Sequence, residues 1–187
     1  MILRPTAVAL LAVVAFPSFA EEVQLAYWEH GSWRVALVED TQWNMRSCRV
    51  WTGGDGNGTL ALHVGDGGAD ASFSYEPVTF RNMAPPMTLD DEVVLMFDGQ
   101  ESWIADELTV SEYHNDFGDF VVDASLSNSF VSETVKELRA GNTVIVGVRR
   151  GGAPKVFDTF LLNGFTATWL KASEWCQFNA GKSFFSS

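Results

Sequence analysis

The chain has 187 residues and is acidic, with 24 Asp and Glu against 12 Lys and Arg and a formal net charge of −12. An acidic surface repels phosphate backbones and anionic lipid headgroups, which argues against a nucleic-acid-binding or membrane-surface protein. The length suits one domain, and 7 Trp and 14 Phe supply large side chains for its core.

Residues 1–20 have the pattern of a removable export signal. Arg4 precedes an apolar run over 7–16, and Ser18 and Ala20 supply the small side chains that a signal peptidase requires. The run is shorter than the roughly 20 residues that a membrane-spanning helix needs. We therefore expect cleavage after Ala20, a single mature domain over 21–187, no transmembrane segment after cleavage, and a periplasmic or secreted location. A retained N-terminal anchor is the alternative.

The two cysteines, Cys48 and Cys176, are expected to form a disulfide bond. Thiols pair in the oxidising compartments that exported proteins reach. In the chain-entropy account, closing a loop of this length adds about 4 to 5 kcal/mol of stability. Two unpaired buried thiols are the alternative.

Short apolar alternation interrupted by Gly, Asp and Asn predicts antiparallel strands. The predicted strands are 33–38, 47–51, 59–64, 71–75, 93–97, 102–105, 143–148 and 156–162. The glycines of 53–58 and the pair Asp98-Gly99 predict hairpin connections, because both accept positive φ angles. We expect a mainly β fold, an antiparallel β-sandwich or a flattened barrel, with two short helices.

The first predicted helix runs from about Glu133 to Ala140, with Ser132 as its N-cap and Gly141 at its end. The second is C-terminal and begins near Gly164. Apolar residues recur at helical spacing along this segment, at Phe165, Trp169, Ala172 and Cys176. This spacing turns Cys176 toward the sheet that carries Cys48.

The segment 112–119 gathers carboxylates around one imidazole. We take it as a candidate binding loop, and its candidate residues are Glu112, His114, Asp116 and Asp119. Such groups can bind a hard cation through oxygen ligands or serve as general acids and bases. A solvated loop without a function is the alternative that the composition favours, so we assign no catalytic residue, metal ion or cofactor.

The sequence lacks the Gly-x-Ser-x-Gly, His-Glu-x-x-His and Walker motifs of common hydrolases and nucleotide-binding enzymes. We therefore expect a protein that is not an enzyme. Four early tryptophans could form a stacking platform for sugars, although large aromatic side chains usually lie in the core. They are Trp28, Trp33, Trp43 and Trp51.

Several features together resemble bacterial proteins of the invasion-associated locus B type. They are the export signal, Trp33 leading a strand toward Cys48, the Asp98-Gly99 hairpin, and the ending 160–167, in which Gly164-Phe165-Thr166-Ala167 opens the last helix. The resemblance implies a periplasmic or secreted β-sandwich that is not an enzyme and is linked to the cell envelope or to host association. It provides no catalytic residue.

The sequence thus predicts an exported, non-enzymatic binding protein of the cell envelope or host interface, with a protein partner that we expect to be cationic. One alternative is an inhibitor of a cationic enzyme such as lysozyme, with Glu112, Asp116 and Asp119 entering the positive cleft. The other is a calcium- or carbohydrate-binding module that uses the candidate loop or the early tryptophans. The oligomeric state is left open.

Overall fold

The computed structural model describes residues 22–80, 83–115, 118–181 and 184, so the predicted signal segment 1–20 lies outside the described residues. Within these ranges the chain forms two antiparallel sheets and two α-helices. The expected mainly β fold with two short helices, one of them C-terminal, is therefore confirmed, and the arrangement is that of a β-sandwich.

The larger sheet has seven strands in the described part of the chain. They are β1 Glu22–His30, β2 Trp33–Asp40, β3 Met45–Gly53, β4 Thr59–Gly65, β5 Ala71–Glu76, β8 Thr109–His114 and β9 Phe120–Ser127. Their order across the sheet is β1-β2-β3-β4-β5-β9-β8. Strands β1, β8 and β9 are absent from the sequence prediction.

The smaller sheet has four strands, in the order β11-β10-β6-β7. They are β6 Glu92–Phe97, β7 Gln100–Glu101, β10 Thr143–Arg149 and β11 Lys155–Leu161. The helices are α1 Val131–Ala140 and α2 Phe165–Trp175. Helix α2 packs on β1, β2 and β3, and α1 packs on β5 and α2. One sheet therefore faces a layer made of the other sheet and the two helices.

The core lies between these layers. Successive side chains of a strand point to opposite faces, so strands β2 to β5 and β9 of the larger sheet each contribute the residues of one face to the core. Fully buried side chains of this set are Trp33, Val35, Cys48, Val50, Leu60, Leu62, Val64, Phe73 and Tyr75. Phe160, Phe165 and Trp169 meet them from β11 and α2.

The predicted disulfide is confirmed. Cys48 on β3 and Cys176, directly after α2, are bonded with Cα atoms 6.0 Å apart, and both side chains are fully buried. The bond fastens the end of the last helix to the middle of the larger sheet. A buried disulfide is typical of proteins that fold in an oxidising compartment. The described residues contain no helix with the length and apolar character needed to cross a membrane.

The glycine-rich connection 53–58 wraps a buried carboxylate. Asp158 on β11 is 2% exposed and accepts hydrogen bonds from the Gly58 N–H at 3.1 Å and the Tyr75 hydroxyl at 2.7 Å. A Cβ atom at Gly54 or Gly58 would lie 2.3 or 2.4 Å from the Asp158 carboxylate oxygens. Glycine is therefore required here for close approach, and Asp158 joins the two sheets. Burial of Tyr75 raises its pKa, and so does the hydrogen bond that its hydroxyl donates to Asp158.

The Asp98-Gly99 hairpin is present, with φ angles of 49° and 79° that suit a tight hairpin turn. The Asp98 carboxylate also accepts the N–H groups of Asn142 at 3.0 Å and Thr143 at 2.9 Å. These hydrogen bonds lower the pKa of Asp98, because they stabilise its charged form. The turn therefore ties β6 and β7 to the start of β10.

The predicted strand 102–105 is wrong. Strand β7 ends at Glu101, and Trp103–Glu107 forms a 3₁₀ turn instead. The hydroxyl of Ser102 accepts the N–H of Ile104 at 3.3 Å, which caps this turn, and the Ile104 side chain is fully buried. Local capping and burial of one apolar residue thus override the strand pattern.

Ser132 is not the N-cap of α1, so that prediction is also wrong. The helix begins at Val131, and its N-cap Phe130 makes no side-chain capping bond. Val131 is fully buried, so core packing extends the helix beyond the local capping signal. The predicted end at Ala140, before Gly141, is confirmed.

We expect replacement of both cysteines, Cys48→Ala with Cys176→Ala, to lower the free energy of unfolding by about 4 to 5 kcal/mol, because it releases a constraint across 128 residues of the unfolded chain. Urea unfolding followed by tryptophan fluorescence measures this change. Wild-type protein reduced in denaturant provides the control and must show the same lowered midpoint. Equal midpoints for the oxidised wild type and the double variant would contradict the expectation.

We expect Tyr75→Phe to lower the free energy of unfolding by about 1.5 to 3 kcal/mol, since it removes a donor from a buried carboxylate. The matched control is Tyr113→Phe, at a tyrosine that is 46% exposed, with an expected change within about 0.5 kcal/mol. Both changes are read from urea unfolding at neutral pH. Equal effects of the two substitutions would show that the bond to Asp158 does not stabilise the fold.

Candidate functional site

A groove of about 590 Å³ lies between the β8–β9 hairpin and the segment that follows β5. We call it the hairpin groove. Its described lining residues are Thr59, Glu76, Pro77, Val78, Thr79, Phe80, Met83, Asn115, Gly118, Asp119, Phe120 and Val121. One wall is therefore irregular backbone, and the other is the end of a hairpin.

The apolar residues of the hairpin groove are unusually exposed. Phe80 and Met83 are 60% and 66% exposed, and Val78 and Phe120 are 38% and 37% exposed. Single exposed apolar residues are ordinary, but a group that converges on one concave surface is typical of an interaction site. Pro77, at the start of the segment, is buried and anchors this wall.

The charged groups of the described lining are acidic. Glu76 at the end of β5 and Asp119 at the hairpin both line the groove, and the described lining includes no Lys, Arg or His. Arg81 and Asn82, between Phe80 and Met83 in sequence, lie outside the described residues. The described surface therefore combines apolar side chains with negative charge.

The hairpin connection is held by its own backbone. The Asn115 N–H donates to the Asp119 carbonyl at 3.0 Å, and the Asp119 N–H donates to Asn115 Oδ1 at 2.9 Å. Gly118 has a φ of +77°, which a residue with a side chain rarely adopts. The His114 ring contacts the Phe120 ring edge-on, with centroids 5.5 Å apart. These contacts position Phe120 and Asp119 at the groove.

A further carboxylate lies beside this hairpin. Asp123 on β9 is opposite Ser111 of β8, and its Oδ1 is the buried side-chain polar atom without a hydrogen-bond partner among the described residues. Burial raises the pKa of Asp123. The pKa of Tyr113 is raised by burial and by the negative charges of Asp123 and Glu76. The carboxylates of Asp123 and Glu76 therefore both act on Tyr113 of the hairpin.

The candidate loop is only partly a loop, which corrects the sequence prediction. Glu112 and His114 lie on strand β8, opposite Val122 and Phe120. Strand β8 is at the edge of the sheet and mostly solvated, so it lacks the apolar alternation that identifies a strand. Asp119 lines the groove, whereas Asp116 lies outside the described residues.

Sequence reasoning missed the apolar residues of the groove. Val78, Phe80 and Met83 belong to an irregular segment between β5 and β6, and they fit no strand or helix pattern. Large apolar side chains next to prolines, outside any predicted element, were the available signal. Phe120 starts strand β9, which was not predicted.

The four early tryptophans are not brought together. Trp33 is in the core, Trp28 stacks on His30 at 5.5 Å, and Trp43 is 65% exposed in a turn. Trp51 lies on the outer face of the larger sheet, with its ring 6.1 Å from that of Tyr27. The core position that we favoured is thus confirmed for Trp33 and wrong for Trp43.

Within the described ranges, no group of three or more His, Cys, Asp or Glu side chains is arranged to hold a metal ion. Comparison of the chain with known protein families, curated proteins and solved structures finds no match. The resemblance to the invasion-associated locus B type therefore stays a prediction.

We expect Phe80→Ser with Met83→Ser to change the free energy of unfolding by no more than about 0.5 kcal/mol, because both side chains are mostly exposed. The double variant should also bind less of the hydrophobic dye ANS. The matched control is Met87→Ser in the same segment, where the fully buried side chain predicts a loss of about 2 kcal/mol or more. A large loss in the groove variant would mean that Phe80 and Met83 belong to the core.

Proposed function

We propose that this protein is an exported, non-enzymatic interaction protein that binds a segment of a partner protein in the hairpin groove. The observation that carries the proposal is the convergence of Val78, Phe80, Met83 and Phe120 on one concave surface while they remain substantially exposed. Covering exposed apolar groups of this kind with a partner removes them from water, which lowers the free energy of the complex.

The partner segment carries apolar side chains next to Lys or Arg. The apolar side chains of the partner fill the groove between Phe80, Met83 and Phe120. The positive charge of the partner lies beside Glu76 and Asp119. The formal net charge of −12 favours the approach of a cationic partner and disfavours an acidic one. Binding should therefore weaken as the salt concentration rises.

Export is supported by two independent features. The buried bond between Cys48 and Cys176 suits an oxidising compartment, and residues 1–20 have the order of charge, apolar run and small residues found in export signals. We place the mature protein in the periplasm or outside the cell. The resemblance to the invasion-associated locus B type agrees with this location and with an envelope or host partner.

An inhibitor of a cationic enzyme such as lysozyme is the second candidate. The exposed carboxylates of Glu112 and Asp119 favour it, because both lie on the β8–β9 hairpin that would enter a positive cleft. This candidate predicts loss of lysozyme activity with equimolar protein at low salt. Full lysozyme activity at a large excess of the protein would exclude the inhibitor candidate.

The groove is tested by selecting random displayed peptides on oxidised protein comprising residues 21–187. We expect enrichment of peptides that place Lys or Arg next to aromatic or aliphatic residues. Phe80→Ser with Met83→Ser should weaken the selected peptides about tenfold or more, as expected for the centre of an interface. Isothermal titration or fluorescence anisotropy measures the affinity.

Two matched controls are available for this experiment. Val156→Ser with Leu161→Ser removes exposed apolar side chains from β11, far from the groove in sequence and outside its lining, and should leave the affinity unchanged. For charge, Glu76→Gln with Asp119→Asn should reduce the salt dependence, whereas Asp106→Asn with Glu107→Gln should not. Selection of acidic peptides, or equal weakening by the β11 control, would contradict the proposal.

A further inference from the structure

The hairpin groove adjoins the outer face of the larger sheet along one row of residues. Thr59 on β4 and Glu76 on β5 are opposite each other, and both line the groove. The register of β5 and β9, continued by one residue, brings Asp123 beside Glu76. Neighbouring strands are about 4.8 Å apart. Asp123 therefore lies one strand beyond the wall of the groove.

Tyr113 on β8 lies on the same face. It is opposite Val121, which lines the groove and precedes Asp123 by two residues, so the three side chains point the same way. The Tyr113 side chain is 46% exposed. Burial raises the pKa of Tyr113, and the charges of Asp123 and Glu76 raise it further. An exposed aromatic ring and two carboxylates thus meet at the edge of the groove.

Asp123 lacks a hydrogen-bond donor. Its Oδ1 is buried, and in the part of the chain that the structure describes this atom has no hydrogen-bond partner. Burial raises the pKa of Asp123, and a hydrogen bond with Ser125 opposes this shift without cancelling it. A buried acceptor without a donor destabilises the free protein. A partner that supplies the donor would remove this destabilisation.

We infer that Glu76, Asp123 and Tyr113 form a subsite for an arginine side chain of the partner segment. The inference rests on the proposed binding of that segment in the hairpin groove. It adds which basic residue the segment carries, and it places the path of the segment out of the groove across the outer face of β5, β9 and β8.

A guanidinium group suits this subsite better than an ammonium group. Its planar array of N–H donors can reach the carboxylates of Glu76 and Asp123 together, while its face stacks on the Tyr113 ring. The ammonium group of lysine is a compact, strongly hydrated charge without this planar geometry. Rotation about the Cβ–Cγ bond exchanges the two oxygens of Asp123, so either oxygen can accept from the incoming donor.

The free protein provides the first test. We expect Asp123→Asn to leave the midpoint of urea unfolding unchanged or to raise it, because the amide keeps the shape of the side chain and removes a carboxylate whose charged form burial disfavours. The matched control is Glu112→Gln, which removes a carboxylate from the opposite face of the same hairpin. A midpoint clearly lower for Asp123→Asn than for Glu112→Gln would overturn the inference, because the carboxylate would then be satisfied within the fold.

The binding test uses oxidised protein comprising residues 21–187 and an arginine-containing peptide selected on the hairpin groove. Synthetic versions carry lysine or citrulline in place of the arginine, and citrulline keeps the planar shape without the charge. On the wild-type protein we expect the affinity to fall about threefold or more with lysine and about tenfold or more with citrulline. Isothermal titration measures both changes.

Protein variants then locate the arginine. On Asp123→Asn, the loss caused by citrulline should shrink to about twofold, because two changes that remove the same interaction are not additive. On Glu112→Gln, the loss should stay at about tenfold. Tyr113→Leu should reduce the preference for arginine over lysine, because it removes the ring on which the guanidinium stacks.

Failure of this inference is distinguishable from failure of the proposed function. A selection that enriches no peptide dependent on Phe80 and Met83 would overturn both. Enriched peptides that depend on Phe80 and Met83 but carry lysine instead of arginine would overturn the subsite and leave the groove in place. The same conclusion would follow if the loss caused by citrulline were equal on Asp123→Asn and Glu112→Gln.

Discussion

The buried carboxylate of Asp158 is the interaction on which the sandwich depends. It belongs to the smaller sheet, while its hydrogen-bond donors, the Gly58 N–H and the Tyr75 hydroxyl, belong to the larger one. A buried carboxylate without hydrogen-bond donors would destabilise the fold by far more than a typical apolar contact stabilises it. The two layers are therefore held in one relative position. Gly54, Gly56 and Gly58 are required because they let the backbone approach the Asp158 carboxylate.

The hairpin groove follows from how the chain crosses between the two sheets. Segment 77–91 leaves β5 and enters β6, and it is fixed at Pro77, at the fully buried Met87 and at Asp91. The Asp91 carboxylate accepts the Thr88 N–H at 2.8 Å and pairs with Arg150, which lowers the pKa of Asp91. Between these anchors, the apolar side chains of the segment face solvent. The fold thus presents exposed apolar groups on a segment held at both ends.

Sequence patterns predicted those parts of the fold in which local and tertiary preferences agree. Strands β2 to β5 carry apolar residues at alternate positions, and β6 is a continuous apolar run. The sequence from Gly164 to Cys176 combines a turn glycine, helical spacing and a cysteine that meets its partner. The patterns failed at the periphery. Strands β1 and β8 are solvated edges without alternation, and the start of α1 is set by burial of Val131. Of the candidate site, Asp119 was identified, whereas Phe80 and Met83 were not, because their proximity to the hairpin depends on long-range packing.

The disulfide has a consequence for how the protein responds to proteolysis. Cys48 and Cys176 are 128 positions apart in the sequence. Segment 77–91, with its exposed Phe80 and Met83, lies between them. Exposed, irregular segments are preferred sites of proteolytic cleavage. A single cut there produces two fragments that stay covalently joined through the core, with Asp158 still bound by both of its donors. A nicked molecule therefore keeps its two sheets together, and cleavage of the surface segment does not release either half.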